Sequence, residues 1–191
     1  MTVRMMGWMG LALAVVALPA AADTLDFNVS SDAAKLAYIR DIGSDGLEVG
    51  GGLLHHDDDG EIFEGQLHLV DRPEPGREAL LLGIGGKVPV ISDDRRDADG
   101  TALAVGGKLH YTLPMYNRAA VAADLYFAPS VTSTNDIDGY QEYAVRGEFK
   151  VLEDASVYLG YRNIELSYDG GSLGDDRDFE NGVYGGLRID F

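Results

Sequence analysis

The sequence predicts an all-β chain closed into an antiparallel, up-and-down transmembrane barrel of about ten strands, with eight as the alternative. Three observations favour this fold. Apolar and polar residues alternate along most of the chain after residue 22, a secretory segment precedes them, and short connections alternate with long ones. The chain is also apolar enough to fold, since 46% of its 191 residues are hydrophobic and 25% are charged. A disordered acidic chain would be more polar than this.

The first 22 residues carry the pattern of a signal peptide. Arg4 precedes an apolar run at 11–18, and Ala20 and Ala22 occupy the small-residue positions of a cleavage site. The apolar run is shorter than the roughly 20 residues that a membrane-spanning helix needs. We therefore expect two parts, a signal peptide at 1–22 and an outer-membrane β-barrel at 23–191 with 191 − 22 = 169 residues.

Charge and cysteine content exclude several classes of protein. The chain has 15 Lys and Arg against 32 Asp and Glu, a formal net charge of −17. Such a surface repels phosphate backbones, so we expect no nucleic-acid partner. The sequence has no cysteine, which excludes a disulfide scaffold, thiol chemistry and a cysteine-ligated zinc site.

Alternation with a period of two is clearest in the last predicted strand. One face carries Phe179, Asn181, Val183, Gly185, Leu187, Ile189 and Phe191, and the other carries Glu180, Gly182, Tyr184, Gly186, Arg188 and Asp190. The other predicted strands lie near 25–30, 34–40, 47–53, 63–69, 80–88, 103–113, 121–127, 143–151 and 157–161. The first two are short, which leaves eight strands as the alternative.

The connections indicate that the apolar face contacts lipid. Those at 169–178, 129–139 and 91–100 are long, whereas those at 152–154 and 114–118 are short. Outer-membrane barrels have short periplasmic turns and longer external loops, and an even strand number places both termini on the periplasmic side. The connection at 71–78 is longer than this rule prefers.

The end of the chain resembles the C-terminal assembly signal of bacterial outer-membrane proteins, with Phe191 last and Ile189 and Leu187 at alternate positions before it. The chain also resembles the YfaZ family of small outer-membrane proteins, on the segments DFNVS at 26–30, YLGYR at 158–162 and GGLRIDF at 185–191. The resemblance implies a location in the bacterial outer membrane. Its partners would be outer-membrane lipid, lipopolysaccharide and the barrel assembly machinery, and we expect a monomer.

Charged residues on the opposite face would fill the lumen and need partners there. The positive candidates are Lys87, Lys108, Arg146, Lys150, Arg162 and Arg188, and the negative candidates are Glu48, Glu64, Asp124, Glu148, Glu180 and Asp190. A barrel of about eight strands is only wide enough to be filled by its own side chains. Unpaired buried charges are also costly, so we expect a salt-bridge plug, with a narrow polar pore as the alternative.

Acidic side chains cluster in the predicted external loops. The first group is His55, His56, Asp57, Asp58, Asp59 and Glu61, the second is Asp93, Asp94, Asp97 and Asp99, and the third is Asp169, Asp175, Asp176 and Asp178. Carboxylates at this density suit calcium or magnesium, but none of the groups matches an EF-hand loop. We therefore expect a solvated acidic rim without a resident cofactor, and a specific divalent-cation site or weak cation bridging to lipopolysaccharide phosphates as the alternatives. The two histidines would point to opposite faces of a strand.

The sequence favours a structural or surface-interaction role over enzymatic activity. His68 and His110 fall on the predicted lumen face, where we expect them to be structural, and no serine lies in a G-x-S-x-G motif. A narrow pore for ions or small solutes is the second hypothesis, and a lipid-modifying enzyme is the third. The glycine runs at 50–52, 83–86 and 106–107 are expected to relieve crowding in the wall.

Overall fold

The computed structural model describes residues 23–43, 45–71, 79–168 and 176–191. The predicted signal peptide lies outside these ranges. The described strands are β1 (Asp23–Val29), β2 (Ala33–Ile42), β3 (Leu47–His56), β4 (Gly60–Asp71), β5 (Leu80–Asp93), β6 (Ala98–Ala102), β7 (Ala104–Thr112), β8 (Ala119–Ala128), β9 (Ser133–Asn135), β10 (Ile137–Leu152), β11 (Ala155–Tyr168) and β12 (Arg177–Asp190). A 3-10 turn spans Ser130–Thr132, and within the described ranges no helix is long and apolar enough to cross a membrane.

Ten of these strands, all except β6 and β9, form a closed antiparallel wall. Each pairs with its neighbour along the chain, and β12 returns to pair with β1, from Thr24 opposite Asp190 to Val29 opposite Gly185. Asp23 and Phe191 continue this seam, because their backbones exchange two hydrogen bonds of 2.9 Å. The prediction of a ten-stranded up-and-down barrel is therefore confirmed. Closure gives each wall strand two hydrogen-bonded neighbours. The backbone N–H and C=O groups of the wall are thus paired within the protein, which the hydrocarbon core of a membrane makes necessary.

The outer face of the wall is apolar all the way round. Every wall strand contributes a large apolar side chain that is 37–70% exposed: Phe27, Leu36, Val49, Phe63, Ile84, Val105, Leu125, Val145, Leu159 and Val183. A continuous apolar surface of this kind marks contact with lipid. The prediction that the apolar stripe faces outward is confirmed.

The external end of the barrel, opposite the two termini, carries a small flap. Here β6 pairs with the far end of β5, from Val90 opposite Thr101 to Asp93 opposite Ala98, and β9 pairs with β6. The flap gathers two of the long connections predicted for this end. The connections near residues 31 and 58, at the same end, are short turns.

One residue of the predicted lipid face points inward instead. The predicted outward position of Phe179, beside Val183 and Leu187, was wrong, because Phe179 is only 1% exposed. The register shifts here: Ile164 pairs with Glu180 but Glu165 pairs with Asp178, so that Phe179 is an extra residue on β12. A β-bulge of this kind re-aims a side chain, which simple alternation cannot anticipate.

Candidate functional site

The external half of the lumen is a packed apolar layer, which sequence analysis missed. Its members are Ala33, Leu54, Ile62, Ile91, Ala102, Ala104, Tyr126, Ala128, Ile137, Tyr140, Ile164, Leu166 and Phe179, each 8% exposed or less. Most come from the external ends of the wall strands, and Ala102 comes from the flap. The sequence does hold a signal for this layer, since adjacent apolar pairs such as Leu53-Leu54 and Ile62-Phe63 supply both faces of a strand.

An ion-pair cap lies above the apolar layer. Arg177 at the start of β12 contacts Asp59 of the β3–β4 turn, and its Nη1 lies 3.3 Å from Asp93 Oδ2 at the end of β5. Tyr168 donates a hydrogen bond to Asp93 as well. The contacts of the cap therefore connect the start of β12, the end of β11, the β3–β4 turn and the end of β5.

The acids predicted as cation ligands in the first two loops mostly meet basic or hydroxyl groups. Arg95 lies 3.0 Å from Asp59 and 3.2 Å from Asp58, while Ser92 donates to Asp99 at 2.8 Å. Asp57, Asp94 and Asp97 are exposed. Across the described ranges, no group of three or more histidine, aspartate or glutamate side chains is arranged to hold a metal ion.

The two adjacent histidines of the first loop point to opposite faces, as the strand geometry predicts. His55 is exposed and its Nδ1 lies 3.4 Å from Glu61. His56 is buried, packs edge-on against the Phe179 ring at 5.9 Å, and accepts the backbone N–H groups of the following turn at 3.2 Å. His56 therefore stabilises the turn and the apolar layer.

The third acidic group is only partly described, because Asp169 and Asp175 lie outside the described residues. Asp176 accepts a hydrogen bond from Ser167 at 2.5 Å. Asp178 accepts one from Asn163 at 2.7 Å. Both carboxylates are thus engaged with neutral donors on the adjoining strand.

Below the apolar layer lies a buried set of two lysines and two glutamates, here called the central charge cluster: Lys35, Glu64, Lys87 and Glu142. Lys87 Nζ is 2.6 Å from Glu142 Oε2 and 3.2 Å from Glu64 Oε2, and Lys35 Nζ is 2.7 Å from Glu64 Oε1. Their side chains are only 3–9% exposed. Tyr140 also donates to Glu142 at 2.7 Å, which joins the cluster to the layer above. Lys87 and Glu64 were predicted as lumen charges from the sequence, whereas their partners Lys35 and Glu142 were not.

A histidine and a tyrosine pack beside this cluster. His68 is 1% exposed, and its Nε2 lies 2.7 Å from the Tyr126 hydroxyl. Lys87 stands over the Tyr126 ring at 4.4 Å. Two inward glycines leave room for the pair, since a Cβ would stand 2.6 Å from the His68 ring at Gly85 and 2.6 Å from the Tyr126 ring at Gly106. These contacts give His68 a structural role in the packing of the lumen.

The periplasmic half of the lumen holds a second set of ion pairs centred on Glu148. Arg146 Nε lies 2.6 Å from Glu148, and Arg146 Nη1 lies 2.7 Å from Asp124. Arg188 approaches Glu148 at 3.5 Å, and His110 Nε2 approaches it at 3.1 Å. All five side chains come from the predicted lumen face.

Other predicted lumen charges also meet partners across the wall. Arg162 binds Glu180 through two nitrogens, each at 2.8 Å, and Lys108 contacts Glu48. Asp26, which sequence analysis did not select, receives Arg188 at 3.1 Å.

Two predicted members of the network stand apart from it. Asp190 accepts a hydrogen bond from Thr24 at 2.7 Å rather than an ion pair. Lys150 makes no ion pair within the described part of the chain, although its side chain faces the lumen.

The central charge cluster, the ion pairs around Glu148, and Lys150 line a cavity of about 470 Å³. It extends from the central charge cluster to the periplasmic end of the wall, where Leu81, Lys150 and Asp190 border it. The apolar layer and the cap lie on the other side of that cluster. The lumen is thus packed and apolar toward the end opposite the termini, and hollow and charged toward the end that carries them.

Comparison with known proteins gives matches in sequence and in structure. Residues 2–191 match the family model described as "YfaZ precursor". The chain is similar to "Outer membrane protein YfaZ" of Escherichia coli (strain K12), with 29% identity over 146 residues that make up 76% of each chain.

Two solved structures show a likeness in shape. One is the outer membrane channel DcaP of Acinetobacter baumannii, with a TM-score of 0.45 and 10% identity over 87% of this chain and 54% of that one. This chain therefore spans about half the length of that protein. The other comes from work on the in-meso crystallization of membrane proteins, with a TM-score of 0.47 and 11% identity over 90% and 83% of the two chains.

Proposed function

Since this chain belongs to the YfaZ family of outer-membrane proteins, we propose that it is a closed barrel with a structural or surface-interaction role in the bacterial envelope. On this proposal it is a monomer without a resident cofactor. Its outer face contacts lipid and lipopolysaccharide, and the barrel assembly machinery recognises Leu187, Ile189 and Phe191 during insertion. The apolar outer band supports the lipid contacts.

The observation that carries the proposal is the central charge cluster lying directly beneath the apolar layer. A continuous water path would have to separate Lys87 from Glu142 and Glu64, whose side chains are at most 5% exposed. Separating buried, paired charges is strongly unfavourable, and wetting a packed apolar layer adds to that cost. Both effects favour a lumen that stays closed.

The cavity in the periplasmic half is the observation that favours a second candidate, a narrow pore. Its volume of about 470 Å³ would serve as one half of a conducting path. Conduction would also require an opening through the apolar layer and the cap. We therefore rank the pore second.

Enzymatic activity on lipids has less support. His68 is buried inside the barrel against Tyr126, and His110 faces Glu148 in the lumen. A general base for lipid chemistry must reach the substrate, which lies outside the wall. We propose that neither histidine acts catalytically.

Conductance in planar lipid bilayers tests the proposal. The refolded mature chain, residues 23–191, should insert without discrete current steps, while a general porin measured in parallel shows them. Circular dichroism of the same preparation confirms that the chain is folded. Regular single-channel steps from the folded wild-type chain would overturn the closed-lumen proposal and favour the pore.

A further inference from the structure

We propose that the outer wall carries a site for a divalent cation, Mg²⁺ or Ca²⁺, held by Glu165, Asp178 and the side-chain carbonyl of Asn163. These three residues are here called the outer carboxylate site. In the membrane the cation bridges the barrel to a phosphate group of lipopolysaccharide. The bridge rests on the proposed contact of the outer face with lipopolysaccharide, whereas the cation site itself does not.

The three side chains lie on the outer face, at the external ends of β11 and β12. Asn163 and Glu165 flank Ile164, a member of the inward apolar layer, and therefore point outward. On β12, Asp178 precedes the inward Phe179 and is itself exposed. Glu165 and Asp178 are direct neighbours across the two strands. The site thus spans one strand pair of the wall.

An aromatic pair marks the membrane level of the site. The Tyr143 and Tyr161 rings lie 6.2 Å apart, and each is the next outward residue beyond an apolar one, Val145 and Leu159 respectively. Outer-membrane barrels carry aromatic girdles at both membrane interfaces. Asn163 is the next outward residue of β11 on the external side of Tyr161. The site therefore lies at the level of the external lipid head groups.

The two carboxylates oppose each other without a compensating positive charge from the described ranges. Like charges directly opposite on neighbouring strands destabilise a sheet. Asp178 accepts hydrogen bonds from two neutral amides, those of Asn163 at 2.7 Å and Asn181 at 2.9 Å. Glu165 is partly exposed and makes no hydrogen bond or ion pair within the described part of the chain. A bound cation would remove this repulsion.

The carbonyl of Asn163 is an independent indication of a ligand. Asn163 is 3% exposed, and its Oδ1 is the one buried side-chain oxygen or nitrogen among the described residues that has no hydrogen-bond partner. Buried polar atoms normally have one. The amide orientation is fixed, because exchanging its O and N would turn the carbonyl toward the Asp178 carboxylate, which accepts from Nδ2. A free carbonyl beside two carboxylates suits a hard cation.

The site leaves part of the coordination shell open. Ca²⁺ takes about 6–8 oxygen ligands, and Mg²⁺ is commonly held by one or two carboxylates together with phosphate oxygens and water. An open site agrees with the finding that the described ranges hold no group of three acidic or histidine side chains arranged for a metal. Lipopolysaccharide phosphates at the same level supply the missing oxygens. Without the cation, the acidic rim would repel those phosphates.

Paramagnetic broadening by Mn²⁺ in nuclear magnetic resonance of the 15N-labelled mature chain tests the cation site. The chain is held in lauryldimethylamine oxide micelles, whose head group has no phosphate or carboxylate. We expect substoichiometric Mn²⁺ to broaden the amide signals of Asn163, Glu165 and Asp178 before those of the loops at 57–59 and 94–97. Excess Ca²⁺ or Mg²⁺ should restore the signals.

A pair of charge variants separates this site from general attraction of cations to the acidic rim. Glu165→Gln should weaken Mn²⁺ binding roughly ten-fold or more, because it removes one of two charged ligands. Asp97→Asn changes an exposed acid of the β5–β6 turn and should leave the affinity unchanged. Both variants remove one negative charge from the external end, so only the position differs.

A pair of amide variants isolates the free carbonyl. Asn163→Leu should weaken Mn²⁺ binding, and Asn181→Leu should weaken it much less. Both side chains donate a hydrogen bond to Asp178, so each variant removes one donor from that carboxylate. The Asn181 carbonyl already accepts from the Tyr161 hydroxyl, whereas the Asn163 carbonyl is free.

Retention of lipopolysaccharide tests the bridge. Rough lipopolysaccharide is added to the micelles with Ca²⁺ or with a chelator, and the amount that co-purifies with the chain is measured. We expect Ca²⁺ to increase the amount retained by the wild-type chain and to have a clearly smaller effect on Glu165→Gln.

The following results would overturn the proposal. Absence of broadening at the outer carboxylate site, or earlier broadening of the loops at 57–59 and 94–97, would show that cations gather only on the acidic rim. Equal losses of affinity in Glu165→Gln and Asp97→Asn would show the same. An equal effect of Ca²⁺ on lipopolysaccharide retention in the wild type and Glu165→Gln would refute the bridge. None of these results bears on the bilayer conductance, so failure of this site and failure of the closed-lumen proposal are distinguishable.

Discussion

Replacing Lys87 with methionine should destabilise the barrel more than replacing Lys150, a lumen lysine that makes no ion pair with the described residues. Lys87 is 3% exposed and lies within ion-pair distance of Glu142 and Glu64. Methionine matches the length of the side chain but removes the charge. The variant leaves two buried glutamates with Lys35 as the one remaining cation of the central charge cluster.

The size of the effect follows from these contacts. Each charge-assisted hydrogen bond is worth about 1.5–3 kcal/mol, and breaking a buried ion pair from one side costs about 3–5 kcal/mol. We therefore expect Lys87→Met to lower the free energy of unfolding by about 3–5 kcal/mol. Adding Glu142→Gln should recover part of the loss, because it removes the carboxylate that Lys87→Met leaves in excess.

Urea unfolding of the mature chain in detergent micelles, followed by circular dichroism, measures this difference. Tryptophan fluorescence is unsuitable, because Trp8 is the only tryptophan and lies in the predicted signal peptide. Lys150→Met is the matched control and should change the free energy of unfolding by less than about 0.5 kcal/mol. A loss below about 1 kcal/mol for Lys87→Met, or an equal loss for Lys150→Met, would refute the reasoning.

Three further substitutions test other parts of the structure by the same unfolding assay. Gly106→Ala should cost at least about 1–3 kcal/mol because its Cβ would stand 2.0 Å from the Leu125 backbone oxygen and 2.6 Å from the Tyr126 ring, whereas Gly147→Ala, with open space around it, should be nearly neutral. Phe179→Ala should cost about 3–5 kcal/mol, and Phe127→Ala, which faces lipid, clearly less; equal losses would contradict the inward bulge. Arg177→Ala should cost about 1–3 kcal/mol and speed hydrogen exchange in the flap; unchanged exchange there would count against the cap.

The wall of the barrel could be predicted from the sequence because its physical cause is local. Lipid contact demands an apolar side chain at every second position, and that demand is visible in each strand, as in Val157, Leu159 and Tyr161. Most of the lumen charges followed from the same alternation. Of the two partners that were not predicted, Lys35 lay in a short predicted strand at 34–40, and Glu142 lay one residue before the start of the predicted strand at 143–151.

The layering of the lumen could not be predicted in the same way. Alternation states which side chains point inward, but it does not state how far along the barrel axis each one lies. The contact of Arg177 with Asp59 and Asp93 depends on the relative heights of three strand ends. Phe179 depends on a bulge that shifts the register by one residue. Both features arise from tertiary pairing rather than from local sequence.

Cysteine labelling from each side of a membrane tests the one-sided lumen most directly. The chain has no native cysteine, so Lys150→Cys in the cavity and Val131→Cys at the exposed external end provide single sites. In proteoliposomes of uniform orientation, a membrane-impermeant thiol reagent should modify Lys150→Cys only from the periplasmic face and Val131→Cys only from the external face. Modification of Lys150→Cys from the external face at a comparable rate would show a continuous water path and contradict the closed lumen.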